Sequence, residues 1–475
     1  MTETEKGALD EPQTEGIKIL LGEPKKAIIK LATPMIIAMS ANTIYNLVDA
    51  IWVSGLGPDA LAAVGFFFPF LFVAMSLATG LGVGGAAAIS RRIGSRDKKG
   101  ADNVAVHTII IMLIMAAFFT VVFYIFAREI FGLLGAGDVL EDATLYGRVM
   151  FGGSITIFFM QIATAILRAE GDANRAMYAL MLGAGMNILL DPLFIYTFEM
   201  GVVGAAWATI LSMSITCILL FYWLFVKKDT YVSFNFRSFC CNREIAKDIL
   251  RVGFPAMMMQ LSMSIMMVII TVIANGVGGT DGVAIYTTGW RVSTIATLPL
   301  IGMGTAVVSV TGAAFGAKDF NKLKTSFLYA VKIGVIIEAV IALLTVILSS
   351  QITAVFTQAE EAERIREDLT NYFRIVALFY PGVAFGMFSS SMFQGTGKGF
   401  YSLTVTIVRT LVLGSPLAAI FAMNLNLGLE GVWWGLVVGN VSGSMIAFTW
   451  ANRYVHGLKK RWQSSSKIQS IGDKV

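Results

Sequence analysis

From about residue 27 onward the chain alternates long, nearly unbroken apolar runs with short polar connections. A bilayer's hydrocarbon core is ~30 Å thick and takes ~20 residues of helix at ~1.5 Å per residue. The pattern predicts spans over residues 27–53, 60–89, 104–126, 144–167, 176–198 and 203–226, and again over 249–275, 284–313, 326–349, 371–393, 400–422 and 431–451. About twelve transmembrane helices leave little length for a soluble domain. The expected class is an all-α polytopic membrane protein.

The second six spans repeat the first. "LATPMIIAMS" answers to "RVGFPAMMMQ", and "GSRDKKGADN" to "GAKDFNKLKT". "ILRAEGDANRA" pairs with "SMFQGTGKGFY", "NILLDPLFIY" with "LVLGSPLAAI", and "GVVGAAWATI" with "GLEGVWWGLV". An even number of spans per unit sends both units into the membrane the same way round, so the repeats are parallel. A cleft between two six-helix bundles is the expected consequence. The layout expected is a polar tail (1–19), an N-terminal bundle (20–226), a connector (227–248), a C-terminal bundle (249–455) and a second tail (456–475).

Composition agrees with this pattern. Apolar residues make up 56% of the chain and charged residues 14%, against about 25% charged in soluble domains. The net charge of +5 sits in short connections, so it marks topology and not a nucleic-acid surface. The even-numbered connections carry far more Lys and Arg than the odd ones, which puts them, the connector and both termini in the cytoplasm. The first sixteen residues show no apolar core with a cleavage site. The expected location is the cell membrane, multi-pass. Cys217, Cys240 and Cys241 match no metal-ligand or disulfide pattern.

The repeat supplies an internal control for polar residues inside the spans. Asp49 stands where the second half has Ile270, Asn187 where it has Leu411, Asp191 where it has Ser415, and Thr209 where it has Leu436. The scaffold therefore has no need of these polar groups. Asp49, Asp191 and Thr209 lie similarly close to the outer ends of spans one, five and six, and Asn187 shares a helix face with Asp191. A carboxylate in a span costs about 2.5–3.5 kcal/mol at mid-membrane. Two carboxylates together repel, and a shared proton or one small cation relieves them. Pro192 has no N–H and frees the Ile188 carbonyl as a further oxygen. The group suits Na⁺ or H⁺, with no other cofactor. Pro34 and Pro192 are candidate hinges.

At these residues the chain resembles the multidrug and toxic compound extrusion (MATE) family, over roughly residues 20–455. The motifs that carry the resemblance are "YNLVDAIWVSGLG", "GSRDKKGADN", "NILLDPL" and "GVVGAAWATILS". It implies two six-helix bundles that exchange Na⁺ or H⁺ for small organic compounds. The cation site of the family's archaeal and DNA-damage-inducible branches would fall on Asp49, Asn187, Asp191 and Thr209. Other branches place acids in spans seven and ten; here span seven offers Gln260 and span ten has no acid between Tyr372 and Phe393.

Plainer roles compete at single positions. Asp49 and Asp191 could tie helices together as acceptors, and Thr209 could satisfy a backbone carbonyl. Glu338, a third membrane acid and the secondary candidate beside Gln260, is expected to pair locally with Lys332 or to lie at the lipid edge. His107 is expected to be a packed or interfacial histidine. "TGLGVGG" lacks a phosphate-loop lysine and indicates close helix packing, and "AMMMQLSMSIMMVII" is either a soft ligand lining or a lipid face. The function expected is a monomeric, cation-coupled exporter of amphipathic, often cationic, organic molecules. A lipid-linked precursor flippase is the alternative. A membrane enzyme finds no metal-ligand spacing or serine elbow to work with.

Overall fold

The computed structural model describes residues 14–236, 239–358 and 360–472. The acidic stretch 1–13, and Arg237 and Ser238 of the connector, lie outside the described residues. Among those described, every regular element is helical. In lipid no water is on hand for the backbone N–H and C=O, and a helix satisfies them within itself. Among the described residues eleven helices are long and apolar enough to cross a membrane, or twelve with one bent pair counted as a span.

Spans one to three are the helices Pro24–Ser54, Pro58–Gly94 and Lys98–Ile125. Span four is the bent pair, turning by 42° before Ser154–Ala169. At the bend a Cβ on Gly153 would meet Ile210 at 2.5 Å. Spans five and six, Ala173–Pro192 and Gly201–Phe221, each end in a π-helical turn. Span seven and the start of span eight form the stretch Arg243–Ala296, divided at Gly279, whose φ of 58° requires glycine's freedom. Span eight continues as Leu298–Gly316, and span nine is Phe320–Ile347. Span ten ends in Tyr380–Gly395, span eleven begins with Gly399–Ile407, and the last helix is Gly428–Gly472. That helix runs on past residue 455, where a separate tail was expected.

The described residues form two compact units, one within Met1–Gly22 and Lys30–Met257, the other within Glu23–Ile29 and Met258–Val475. In the first, the glycines of "TGLGVGG" let backbones meet: a Cβ on Gly80 would lie 2.8 Å from the Gly253 carbonyl oxygen, and one on Gly84 2.9 Å from the Gly253 Cα. This is the close packing the motif indicates. The connector is strapped to this unit. Arg175 forms a two-pronged ion pair with Asp229 at 2.9 and 2.7 Å, the Ser233 N–H donates to Asp102, and the Val232 N–H donates to Glu170 at 3.0 Å. His107 is packed, as expected, and its Nε2 accepts the Asn242 N–H at 2.9 Å. Burial pushes the Glu170 carboxyl up to about 8, against the pull of its backbone N–H donors.

In the second unit a ladder of glycines, Gly431, Gly435, Gly439 and Gly443, presses span twelve onto span eleven. A Cβ on Gly439 would stand 2.5 Å from the Gly414 Cα, and one on Gly443 2.6 Å from the Arg409 Cα. The first unit has Gly204, Ala208, Ser212 and Thr216 along the matching face, all buried.

Backbone geometry corrects the repeat register in span five. Glu199 and Gly201 have φ of 54° and 55°, Asn426 and Gly428 of 53° and 58°. The Phe198 N–H bonds the Leu193 carbonyl as the Leu425 N–H bonds Ile420, and Gly204 abuts Phe194 as Gly431 abuts Phe421. Asn187 and Asp191 therefore correspond to Gly414 and Ala418, not to Leu411 and Ser415; Pro192 and Pro416 do not occupy equivalent positions. Near the start of the same spans Gly171 corresponds to Gly397, both with positive φ, one residue out of step with the far end. The second half has one residue more, and the π-helical stretch Val408–Gly414 takes it up.

Gly439→Ala would set a methyl against backbone that cannot turn aside, and should cost about 1–3 kcal/mol. Gly457→Ala, with nothing within 4 Å, is the control; thermal unfolding in detergent measures both. A second expectation concerns pH. The folded carboxyl of Glu170 holds its proton to about 8, whereas the ordinary value of a glutamate is 4.5, so the docked connector binds a proton that the released one gives up. Docking is therefore favoured at low pH and weakens as pH rises from 4.5 through about 8. Hydrogen exchange at residues 229–233, corrected for intrinsic rate, should rise across that window and flatten in Glu170→Gln.

Candidate functional site

The four residues singled out by the repeat come together in the first unit, toward the C-terminal ends of spans one and five and the N-terminal half of span six. Asp191 is the penultimate residue of Ala173–Pro192, and Asn187 lies one turn before it on the same face. The Asn187 Nδ2 donates to the Thr209 Oγ1 at 3.3 Å, joining spans five and six. The carboxyls of Asp49 and Asp191 are close enough to act on each other electrostatically, which brings spans one and five together here. Asp191 is 0% exposed, Asn187 2% and Thr209 8%, while Asp49 is half-buried.

The chemistry of this cluster is one-sided. Both Asp191 oxygens and the Asn187 Oδ1 are buried with no hydrogen-bond donor. Ionised carboxylates only accept, and a buried acceptor left unmade costs about 1–3 kcal/mol. A proton shared by the two acids supplies a donor and removes one charge. A small hard cation meets the same oxygens and answers the charge directly. The residues present fit either ion. Among the described residues no group of three or more His, Cys, Asp or Glu converges, so the acid pair concentrates the negative charge here.

Three tyrosines belong to this region and were not singled out from sequence. Tyr45, four residues before Asp49 and on its helix face, and Tyr146, from span four, both feel the two carboxylates electrostatically. The Tyr196 hydroxyl donates to the Trp52 carbonyl at 2.6 Å, a second tie between spans one and five. Tyr45 opens the quoted motif and its spacing could have exposed it. Nothing in the sequence links Tyr146 to the site.

The hinge candidates differ locally. Pro34 is buried within an unbroken helix. Pro192 ends its α-helical segment, and the π turn Leu193–Thr197 follows. Of the secondary candidates, Gln260 is exposed. Glu338 is 0% exposed with both oxygens unpartnered, and Lys332 is exposed, which corrects the expected local pair and the lipid-edge position. The Glu338 carboxyl instead lies near Tyr380, whose hydroxyl is 3.1 Å from that of Ser293. Ile270 and Leu436, opposite Asp49 and Thr209 in the repeat, are buried in an apolar cluster of the second unit.

Comparison with known proteins reaches both halves. The MatE family model matches residues 34–193 and again 255–420. The multidrug export protein MepA of Staphylococcus aureus is 26% identical over 416 residues, 87% of this chain and 90% of that protein. A multidrug resistance MATE family transporter of the MOP superfamily, solved in an outward-facing conformation, is 48% identical with a TM-score of 0.92, covering 95% of this chain and 100% of that one. A MOP superfamily transporter from Pyrococcus furiosus, described as having a binding pocket of reverse polarity that suggests a different function, is 49% identical with a TM-score of 0.91, covering 94% and 100%.

Asp191→Asn keeps the size and removes the charge, and Asn is the cheaper group to bury unpaired. Its thermal unfolding temperature in detergent should be raised or unchanged without Na⁺ at neutral pH. The stabilisation that wild type gains from added Na⁺ or from acid should shrink or vanish in it. A variant that keeps the full wild-type response would remove the pair from ion binding.

Proposed function

Because this chain belongs to the MatE family, we propose that it is a secondary active antiporter that exports amphipathic, often cationic, organic compounds across the cell membrane in exchange for Na⁺ or H⁺. The observation that carries this is the polar asymmetry of the repeat: Asp49, Asn187, Asp191 and Thr209 converge in the first half, and their counterparts are apolar. MepA, a multidrug export protein, supports the substrate class. An ion held by Asp49 and Asp191 drives transport by binding the two access states unequally. Asn187 and Thr209 orient the site. The repeats 20–226 and 249–455 give access to the two sides in turn, with the connector and both termini in the cytoplasm, and Pro34 and Pro192 act as bending points.

We place the chain in the archaeal and DNA-damage-inducible branch, since its acids are Asp49 and Asp191 and span ten offers none between Tyr372 and Phe393. The 49% identity to the Pyrococcus furiosus transporter agrees. It works as a monomer.

Proteoliposomes with Na⁺ and pH gradients imposed separately test the proposal. Efflux of a lipophilic cation should follow one gradient, and Asp49→Asn and Asp191→Asn should each cut gradient-driven efflux on the order of tenfold or more. The double variant should be little worse than either, as expected of one site, and Ser415→Ala should leave coupling in place. Normal coupled efflux in Asp49→Asn would defeat the assignment.

A further inference from the structure

The second unit carries a charge of the opposite sign inside its own span. Arg409 stands ten residues into the 26-residue apolar span Gly399–Asn424, about 15 Å from the inner end at ~1.5 Å per residue. Glycines cut its seat. A Cβ on Gly443 would meet the Arg409 Cα, Cβ and Cγ at 2.6, 2.8 and 3.0 Å, and one on Gly386 would lie 3.2 Å from Nη1. At the matching place in the first unit, Gly183 faces Thr216, the Cβ-to-Oγ1 distance being 2.8 Å. The repeat does not need an arginine there, and the span-twelve side chain has been given up where one sits.

Among the described residues no carboxylate answers this charge. Among the described residues no acceptor is hydrogen-bonded to the guanidinium and no carboxylate pairs with or acts on it. Its Nε is enclosed and unpartnered, while the residue as a whole is half-buried. Beside it, Ser444 is 0% exposed and its Oγ is also unpartnered, 2.6 Å from the same Gly386 Cβ position. A guanidinium and a hydroxyl, both able to donate, thus stand against the same glycine. The buried acid of this unit, Glu338, lies by Tyr380 and does not serve. The residues sit on or against a π-helical stretch, a distortion found often at functional sites.

We propose that Arg409 and Ser444 form a binding site for one oxyanion, the carboxylate or phosphate-ester group of an amphipathic molecule. A guanidinium fork matches either group with two parallel hydrogen bonds, and the buried hydroxyl adds a third donor. A bare charge in a span is costly, and a bound anion offsets it. The span Gly399–Asn424 is otherwise apolar, which suits the rest of such a molecule. Lipid headgroups lie at the bilayer surface, so a group bound at this depth is brought in by a soluble amphiphile. The site names a substrate class for the exporter proposed above and rests on that reading only for the consequence of binding.

Equilibrium binding tests it without transport. Octyl phosphate is titrated calorimetrically into the full-length protein in phosphatidylcholine nanodiscs, with octyltrimethylammonium as the comparison. Wild type should bind octyl phosphate; Arg409→Gln should weaken it at least about tenfold, with Arg409→Lys between. Ser444→Ala, a smaller change that keeps the fold should Arg409→Gln not be recovered, should weaken it about threefold. Octyltrimethylammonium binding should be the same in all four proteins. No octyl phosphate binding by wild type, or equal affinity in Arg409→Gln or Ser444→Ala, overturns the site. Phosphatidylglycerol added to the nanodiscs should leave the affinity unchanged; competition would overturn the soluble source and make a lipid headgroup the ligand. Binding retained without any gradient-driven efflux would overturn the exporter reading and leave this site standing.

Discussion

The backbone's need for hydrogen-bond partners where there is no water governs the rest of this structure. Each span answers it by staying helical, and the answer persists through residues that would end a helix in solution. Pro34 sits inside an unbroken helix. Where the ladder is disturbed, the chain changes pitch before it will open, as in the π turns after Pro192 and around Arg409. Lipid supplies no hydrophobic force to drive helices together, so close contact depends on small residues. The glycine ladder of span twelve and the glycines of "TGLGVGG" are two instances, and both bring backbones within touching distance.

The same constraint gives weight to each polar side chain. Threonines and serines in the spans mostly return their hydroxyl proton to a carbonyl of their own helix, as Thr108 and Thr216 do. The few groups left without a partner stand out. Asp191, Asn187, Glu338, Arg409 and Ser444 all hold buried polar atoms with no match, and they are not spread evenly. In the first unit the acceptors of Asn187 and Asp191 lie together one helical turn apart, and in the second the guanidinium of Arg409 and the hydroxyl of Ser444 lie together, apart from the acid Glu338. A twofold repeat thus encloses two environments of opposite polarity, each missing what a small charged ligand brings.

Much of this was legible in the sequence because membrane spans are long and their grammar is coarse. The twelve apolar runs and the convergence of Asp49, Asn187, Asp191 and Thr209 needed only length, a shared helix face and a matching half. What failed was finer. Pro192 and Pro416 look like landmarks of one position, but proline marks a tolerance of the helix more than a place in it, and the turn geometry sets the register three residues away. Lys332 was too exposed to meet Glu338. Tyr146 reaches the acids only through the packing of span four, which no local pattern encodes. Arg409 stood in plain view in the eleventh span; its meaning depended on Gly386 and Gly443, which are distant in the chain.

The extra residue of span eleven has a consequence for how the two halves diverged. An insertion in an ordinary helix turns everything beyond it by roughly 100°, and in a packed bundle that would scramble every later contact. Here the wide turn confines the disturbance to Val408–Gly414, and by Leu425 and Gly428 the chain has regained the geometry of its counterpart. One duplicated half could therefore re-aim a handful of side chains and try new chemistry while the inherited scaffold on either side stayed as it was.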